Sequence, residues 1–259
     1  MASEGCEPVR FGFWREIQWD SYARSYDFLA RNNPSYTDNL DMVSALYEKM
    51  RLPEGAHVVD LGGGTGNFTA RLAEAHPEHH FLHVDASEAM IEHAAAKYRA
   101  LGVRNVTLKS ESALDFNPGS ETFDVVICIN ALYAMVPQTQ VLQRVRRMLK
   151  PNGWFLVIDF GRPQRVVDWA RFLIKSAIRK QGVVGGLIFA AKGLGALIEN
   201  ARGARGQSAG SYWLHSTEEF AEMLAGNGFA IEESGVCYRG YCDWAMCRLE
   251  GMPPSSPSP

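Results

Sequence analysis

Val58-Val59-Asp60-Leu61-Gly62-Gly63-Gly64-Thr65-Gly66-Asn67-Phe68 reads as a β-branched run that passes directly into a glycine-rich turn and then into a helix. Glycine is needed there because the backbone must bend sharply and let a ligand approach where a Cβ would stand. The spacing is acid-x-Gly-x-Gly-x-Gly. A dinucleotide fingerprint beginning at Gly62 requires glycine at position 67, where Asn67 stands, which weakens a nicotinamide-cofactor reading. Asp85 closes the next apolar run, where a carboxylate can accept hydrogen bonds from both hydroxyls of a ribose. Two features at this separation are far more specific than a lone glycine turn.

Outward from the turn, residues 56–160 alternate short β-branched runs with longer amphipathic stretches, the pattern of a parallel sheet covered by helices. Strands are expected at Val58–Asp60, Phe81–Asp85, Val106–Leu108, Val125–Ile129 and Trp154–Ile158, with helices over 66–76, 87–101 and 138–149. Pro151-Asn152-Gly153 supplies the turn into the fifth strand. Residues 13–51 read as two helices. Ser216-Thr217-Glu218-Glu219 is a capping box that opens a helix to about Asn227, ahead of two strand-like runs near 229–238 and 241–248.

Residues 162–212 break the alternation. They hold nine Lys or Arg against Asp168 and Glu199, a charge of +7 where the rest of the chain carries −10, and eight of the 24 glycines. Val166, Ala170, Leu173 and Ala177 recur at helical spacing, with Arg171, Lys175 and Arg179 on another face. The stretch reads either as a lid whose charges are solvated or as a surface for membranes or acidic substrates.

These residues resemble the class I S-adenosylmethionine-dependent methyltransferases. Asp60–Gly66 is similar to their first motif, Val84-Asp85-Ala86-Ser87 to their ribose-binding segment, Phe123-Asp124-Val125-Val126 to their fourth strand, and Leu149–Trp154 to the approach to the fifth. The resemblance implies an α/β fold, a doubly wound, mostly parallel seven-stranded sheet with N-terminal helices and a helical lid inserted after strand 5. It divides the chain into a helical cover (1–51), a cofactor-binding core (52–161), a basic, glycine-rich lid (162–212), a C-terminal helix with the last strands (213–250) and a disordered tail (251–259). S-adenosylmethionine is the implied cofactor. Gly62 and Gly64 would line its methionine part, Asp85 would hold the ribose, Glu111 and Ser112 would face adenine in place of the family's usual Asp-Ala, and Asn130 would meet the amino group. Asp60 either contacts the cofactor or braces the turn through backbone N–H groups.

For the acceptor side, Tyr22 and Tyr26 share a helical face and could close over a sulfonium or pack on the sheet. Tyr133 follows the fourth strand and Asp159 ends the fifth. His215, in Tyr212-Trp213-Leu214-His215, is the candidate general base, or else a histidine that decorates a helix start. Tyr238 and Tyr241 read as packing. After the fifth strand the layout loosely resembles the quinone C-methyltransferase branch, with Arg162-Pro163 where that branch has Lys-Pro, so C-, N- and O-methylation stay open. The apolar lid favours a small hydrophobic acceptor, and membrane contact through 165–205 is the alternative partner surface. No acidic cluster has metal-ligand spacing, so no metal is expected.

Composition bounds the rest. With 259 residues, 46% hydrophobic and 21% charged, the chain reads as a globular protein, and a net charge of −3 gives no global attraction to nucleic acid. Five cysteines without C-x-x-C spacing suggest neither a zinc site nor a disulfide framework and favour a reducing cytoplasm. The longest apolar run, Val183–Ile198, is interrupted by glycines and Lys192, which argues against a spanning helix.

Overall fold

A computed structural model describes residues 17–119 and 122–250. Helices α1 (Trp19–Asn32) and α2 (Pro34–Lys49) lead into β1 (His57–Leu61), α3 (Asn67–Ala75), β2 (His80–Asp85), α4 (Glu88–Leu101), β3 (Val106–Ser110) and β4 (Phe123–Ile129). Then follow α5 (Gln138–Met148), β5 (Leu149–Phe160), α6 (Val166–Lys192), α7 (Leu194–Ser208), α8 (Thr217–Gly226), β6 (Phe229–Cys237) and β7 (Cys242–Leu249). The sheet runs β3-β2-β1-β4-β5-β7-β6, with β7 antiparallel to both its neighbours. The first residues of the expected N-terminal helix, Cys6 and the tail 251–259 lie outside the described residues.

Period-2 alternation sorts each central strand between two cores. Val59, Leu61, Val126, Cys128, Phe155 and Val157 face α5 and α8, whereas Val58, Val125, Ile127, Leu156 and Ile158 face α2 and α3. Helix starts are chemically marked: Asn33 caps α2, Ser87 caps α4, and Ser216 with Glu219 forms the reciprocal capping box of α8. Pro151–Gly153 does not precede β5 but lies inside it, where the pairing with β4 shifts register between Phe123 and Val125. Asn152 takes a left-handed φ of 65° there, so the turn is absorbed as an irregularity of a long strand.

Candidate functional site

Between β1 and β4 the order of strands reverses direction, and ligands bind outside the carboxyl ends of the strands at such a switch point. A cavity of about 450 Å³ lies there. It falls within the usual range of small-molecule sites, about 300–1,000 Å³. Four strand ends feed it: the glycine turn after β1, Asp85 at the end of β2, Asn130 after β4 and Phe160 at the end of β5.

The glycine turn is held by its own backbone. Gly62 and Gly63 both donate to the Val84 carbonyl, at 2.8 and 3.2 Å. Gly62 has φ +72°, and a Cβ there would stand 2.6 Å from the Ala131 Cβ, so only glycine fits. Gly64, at φ +57°, donates to Asp85 Oδ2 at 2.8 Å, and a Cβ there would meet no protein atom within 4 Å. Asp85 Oδ1 accepts from the Ser87 N–H at 2.9 Å, so the carboxylate is oriented by two backbone donors while remaining on the cavity wall. Burial raises its pKa, and those two donors partly offset the rise.

Asp60 does not brace the turn through backbone N–H groups, because those of Gly62 and Gly63 are already taken by Val84. Its Oδ2 accepts from the Thr69 hydroxyl at 2.6 Å, and burial pushes its pKa up to about 7. The side chain that does brace the turn, and that the sequence reading passed over, is His83. Its Nε2 lies 3.1 Å from the Gly64 carbonyl, which can only accept, so Nε2 carries the proton and Nδ1 accepts from the Tyr98 hydroxyl at 2.9 Å. Burial lowers the His83 pKa to about 4, which keeps the ring neutral. A histidine inside an otherwise apolar strand was the available signal.

One prediction follows for Asp60. A carboxyl whose folded pKa lies above its unfolded value adds stability that is complete below the unfolded pKa and is lost as the pH rises toward about 7. Asp60→Asn removes that dependence and still accepts from Thr69. Urea unfolding of both proteins should therefore show the variant gaining on wild type by about 2–3 kcal/mol between pH 5 and pH 8. A gap that does not change with pH would refute the buried, raised carboxyl.

Tyr22, Tyr26, Asn130, Ser112 and Tyr133 all line the cavity. Tyr22 and Tyr26 meet edge to face with centroids 5.3 Å apart, and burial raises the Tyr22 pKa to about 12. Ser112 turns its hydroxyl toward the Leu114 N–H at 3.2 Å. Glu111 stands apart: its carboxylate pairs with Lys109 at 2.8 Å and does not line the cavity, which leaves Ser112 and its neighbours Ala113 and Leu114 as that wall. Tyr238, expected as packing, also reaches the cavity, at a left-handed φ of 49°.

His215 and Asp159 do not face the cavity, which corrects the general-base expectation. Asp159 shares the β5 face of Phe155 and Val157, so the strand's alternation sends it under α8, while Phe160 takes the cavity side. Both side chains are fully buried, with His215 Nε2 3.9 Å from Asp159 Oδ2 and Nδ1 3.4 Å from Asp243 Oδ2. His215 packs against Trp213 and Phe220, and burial lowers its pKa. Asp159 sits opposite Asp243 in the ladder, and burial, reinforced by that neighbour, holds its pKa well above the carboxylate range. Its Oδ1 accepts from the Tyr133 N–H at 3.1 Å, so it acts as a positioning residue for a tyrosine that does line the cavity. His215→Ala is accordingly expected to give a kcat profile against pH that superimposes on wild type. A lost acid limb in the variant would return His215 to the reaction.

A further cluster ties α1 to the glycine turn. Asp27 accepts from the Thr65 hydroxyl at 2.6 Å and from Lys97 at 2.9 Å, and Lys97 also donates to the Thr65 carbonyl and to Asn67. Residues 27, 65 and 97 belong to three elements, and no spacing in the sequence announces their meeting. Away from the cavity, His76, Glu78 and His79 bring ligand atoms within 4.8 Å of one another just before the amino end of β2, at the opposite end of the strands.

A family model described as a methyltransferase domain matches residues 52–221. The chain belongs to this methyltransferase family. Its glycine turn and oriented Asp85 place it with the class I S-adenosylmethionine-dependent methyltransferases, whose cofactor the site suits: a backbone cradle that a Cβ would fill at Gly64, beside a carboxylate that faces the same space. Among similar chains is the ubiquinone/menaquinone biosynthesis C-methyltransferase UbiE of Pasteurella multocida, 34% identical over a segment covering 42% of this chain and 42% of that protein. The demethylmenaquinone methyltransferase of Listeria welshimeri is 31% identical over 44% of this chain and 49% of its own length. The chain thus spans less than half the length of these relatives. In fold, it superimposes on a S-adenosylmethionine-dependent methyltransferase from Aquifex aeolicus with a TM-score of 0.60, at 16% identity, covering 89% of this chain and 98% of that one. The N-methyltransferase NodS of Bradyrhizobium japonicum, solved with S-adenosylhomocysteine, gives 0.61 at 15% identity, covering 90% and 99%.

Proposed function

We propose that this methyltransferase moves a methyl group from S-adenosylmethionine to a small, largely apolar acceptor in the cytoplasm, with peripheral membrane contact through residues 165–205. The observation that carries the reading is a single cavity lined both by the glycine turn and Asp85 and by the aromatic rings of Tyr22, Tyr26, Tyr133, Phe160 and Trp169. When bound, S-adenosylmethionine supplies a methyl group already activated by its sulfonium. The residues of the chain then orient and shield. Asp85 accepts from the ribose hydroxyls, Gly64 admits the methionine portion while Gly62 lines it with backbone, Ser112 faces the adenine, and Asn130 offers its backbone to the amino group. The tyrosines form an aromatic cover that attracts positive charge and excludes water.

No histidine lines the cavity among the described residues, and its tyrosines are held neutral by burial, Tyr133 and Tyr26 well above their ordinary pKa. In this reading catalysis rests on proximity and desolvation, and the acceptor's proton leaves to solvent. Among the described residues we assign 17–51 to the cover, 52–161 and 213–250 to the core and 162–212 to the lid. Relatives named for ubiquinone and menaquinone synthesis support a quinone-like acceptor and carbon methylation. Incubation with methyl-labelled cofactor and a membrane lipid extract tests the reading: label should pass into an organic-soluble product. Tight binding of S-adenosylhomocysteine with no transfer to any fraction would leave a cofactor-binding protein that does not methylate.

A further inference from the structure

The outer faces of α6 and α7 are apolar. At Gly182, φ +73°, α6 breaks its helical geometry, and beyond it Val183, Val184, Leu187 and Ile188 face outward at helical spacing while Gly186 and Phe189 face in. Phe189 stacks on Phe28 of α1 with centroids 5.4 Å apart, which fixes the orientation of this half-helix. Helix α7 repeats the arrangement, with Leu194, Leu197 and Ile198 outward and Ala196, Glu199 and Gly203 inward. Val184 and Leu187 are 71% and 67% exposed, and seven of the twelve large exposed hydrophobics among the described residues lie between 183 and 198. A water-facing surface is not built this way.

Charge selects the occupant. Arg171, Lys175, Arg179, Lys180 and Lys192 are exposed on the same helix, four of them before the break at Gly182 and one after it. The two acids of the stretch are already paired, Asp168 with Arg239 at 3.0 Å and Glu199 with Arg202, so the free charge is positive. A second copy would bring the same positive charges against itself, whereas an anionic bilayer complements both the charges and the apolar face. No single helix among the described residues is long and apolar enough to cross a membrane; α6 and α7 reach that length and apolarity only as a pair, and they are bent by 56° where they meet. The face is also continuous with the cavity: Ala190, Gly193 and Leu197 line the cavity, and Leu197 is exposed beside Leu194 and Ile198.

We infer that residues 183–198 insert into the surface of an anionic phospholipid bilayer and take from it an acceptor with an apolar tail, which enters the cavity past Leu197. The inference rests on the proposed methyl transfer for the acceptor's fate, and on the apolar face and the basic residues of the same stretch for the docking. The test compares wild type with the double variant Val184→Glu, Leu187→Glu, whose positions are exposed and outside the cavity. Each is spun with phosphatidylcholine vesicles with and without phosphatidylglycerol, and S-adenosylhomocysteine binding is measured by calorimetry. Wild type should pellet with the anionic vesicles, and the double variant should partition at least about tenfold more weakly with unchanged S-adenosylhomocysteine affinity. At about 1 M salt, where the screening length is about 3 Å, wild type should remain partly bound because the apolar contact persists. Equal pelleting of the two proteins, or no pelleting of wild type with anionic vesicles, would overturn docking. So would a wild-type dimer that the double variant converts to monomer in sedimentation velocity. Vesicle binding without S-adenosylhomocysteine binding would support the docking face and sink the proposed function; the reverse would sink docking alone.

Discussion

Asp85→Ala is expected to bind S-adenosylhomocysteine about ten- to a hundredfold more weakly than wild type while unfolding at nearly the same denaturant concentration. The carboxylate stands half-buried on the cavity wall, oriented by the Gly64 and Ser87 N–H groups at 2.8 and 2.9 Å. A ribose would add two hydrogen bonds to a charged acceptor, worth about 1.5–3 kcal/mol in all when one partner is removed. The two backbone donors it abandons lie beside the cavity, where water can reach them, so the cost to folding stays small. Calorimetric titration checks the affinity and urea unfolding checks the fold. Unchanged affinity would remove Asp85 from the ribose assignment.

The second large effect separates two glycines of one turn. Gly62→Ala forces a left-handed φ on a residue with a Cβ and drives that Cβ to 2.6 Å from Ala131 and 2.7 Å from Met135. The left-handed conformation costs about 1–2 kcal/mol and overpacking about 1–3 kcal/mol more, so the protein itself should be destabilised by about 2–5 kcal/mol. Gly64→Ala shares the φ cost, but its methyl meets nothing in the protein within 4 Å and stands at a cavity position. That variant should fold with a loss of only about 1–2 kcal/mol and bind S-adenosylhomocysteine at least about tenfold more weakly. Urea unfolding and calorimetry on both variants decide it. If Gly64→Ala binds as wild type does, the methionine portion of the cofactor does not pass Gly64.

Most of the core was legible because its determinants are local. The strand before the turn, the glycines at 62 and 64, the acid at 85 and the capping box at Ser216 each depend on residues a few positions apart. His215 was misread for the same reason. Its place before a capping box says nothing of which side of β5 the chain crosses, and the ring lies in the layer between β5, β7 and α8, behind Tyr133 and away from the cavity. Glu111 was read from its position after the third strand, yet Lys109 two residues earlier turns it from the cavity. Helical spacing in 166–177 was correct for α6, whereas the apolar run 183–198 gave no sign of facing outward, since a buried helix has the same composition.

By itself the sequence determined the alternation of strands and helices, the glycine turn and the acid that faces it, because backbone chirality, period-2 burial and capping act over short spans. Tertiary structure alone decided which side chains share the cavity. Asp27 meets Lys97 and Thr65 across three elements, Asp159 is turned under α8 by strand alternation, and Tyr212 accepts from the Ile17 N–H at 2.8 Å across 195 residues of chain. Burial is a sum over contacts between distant segments, so whether an apolar face is covered, or a histidine reaches a ligand, is settled by what packs against it.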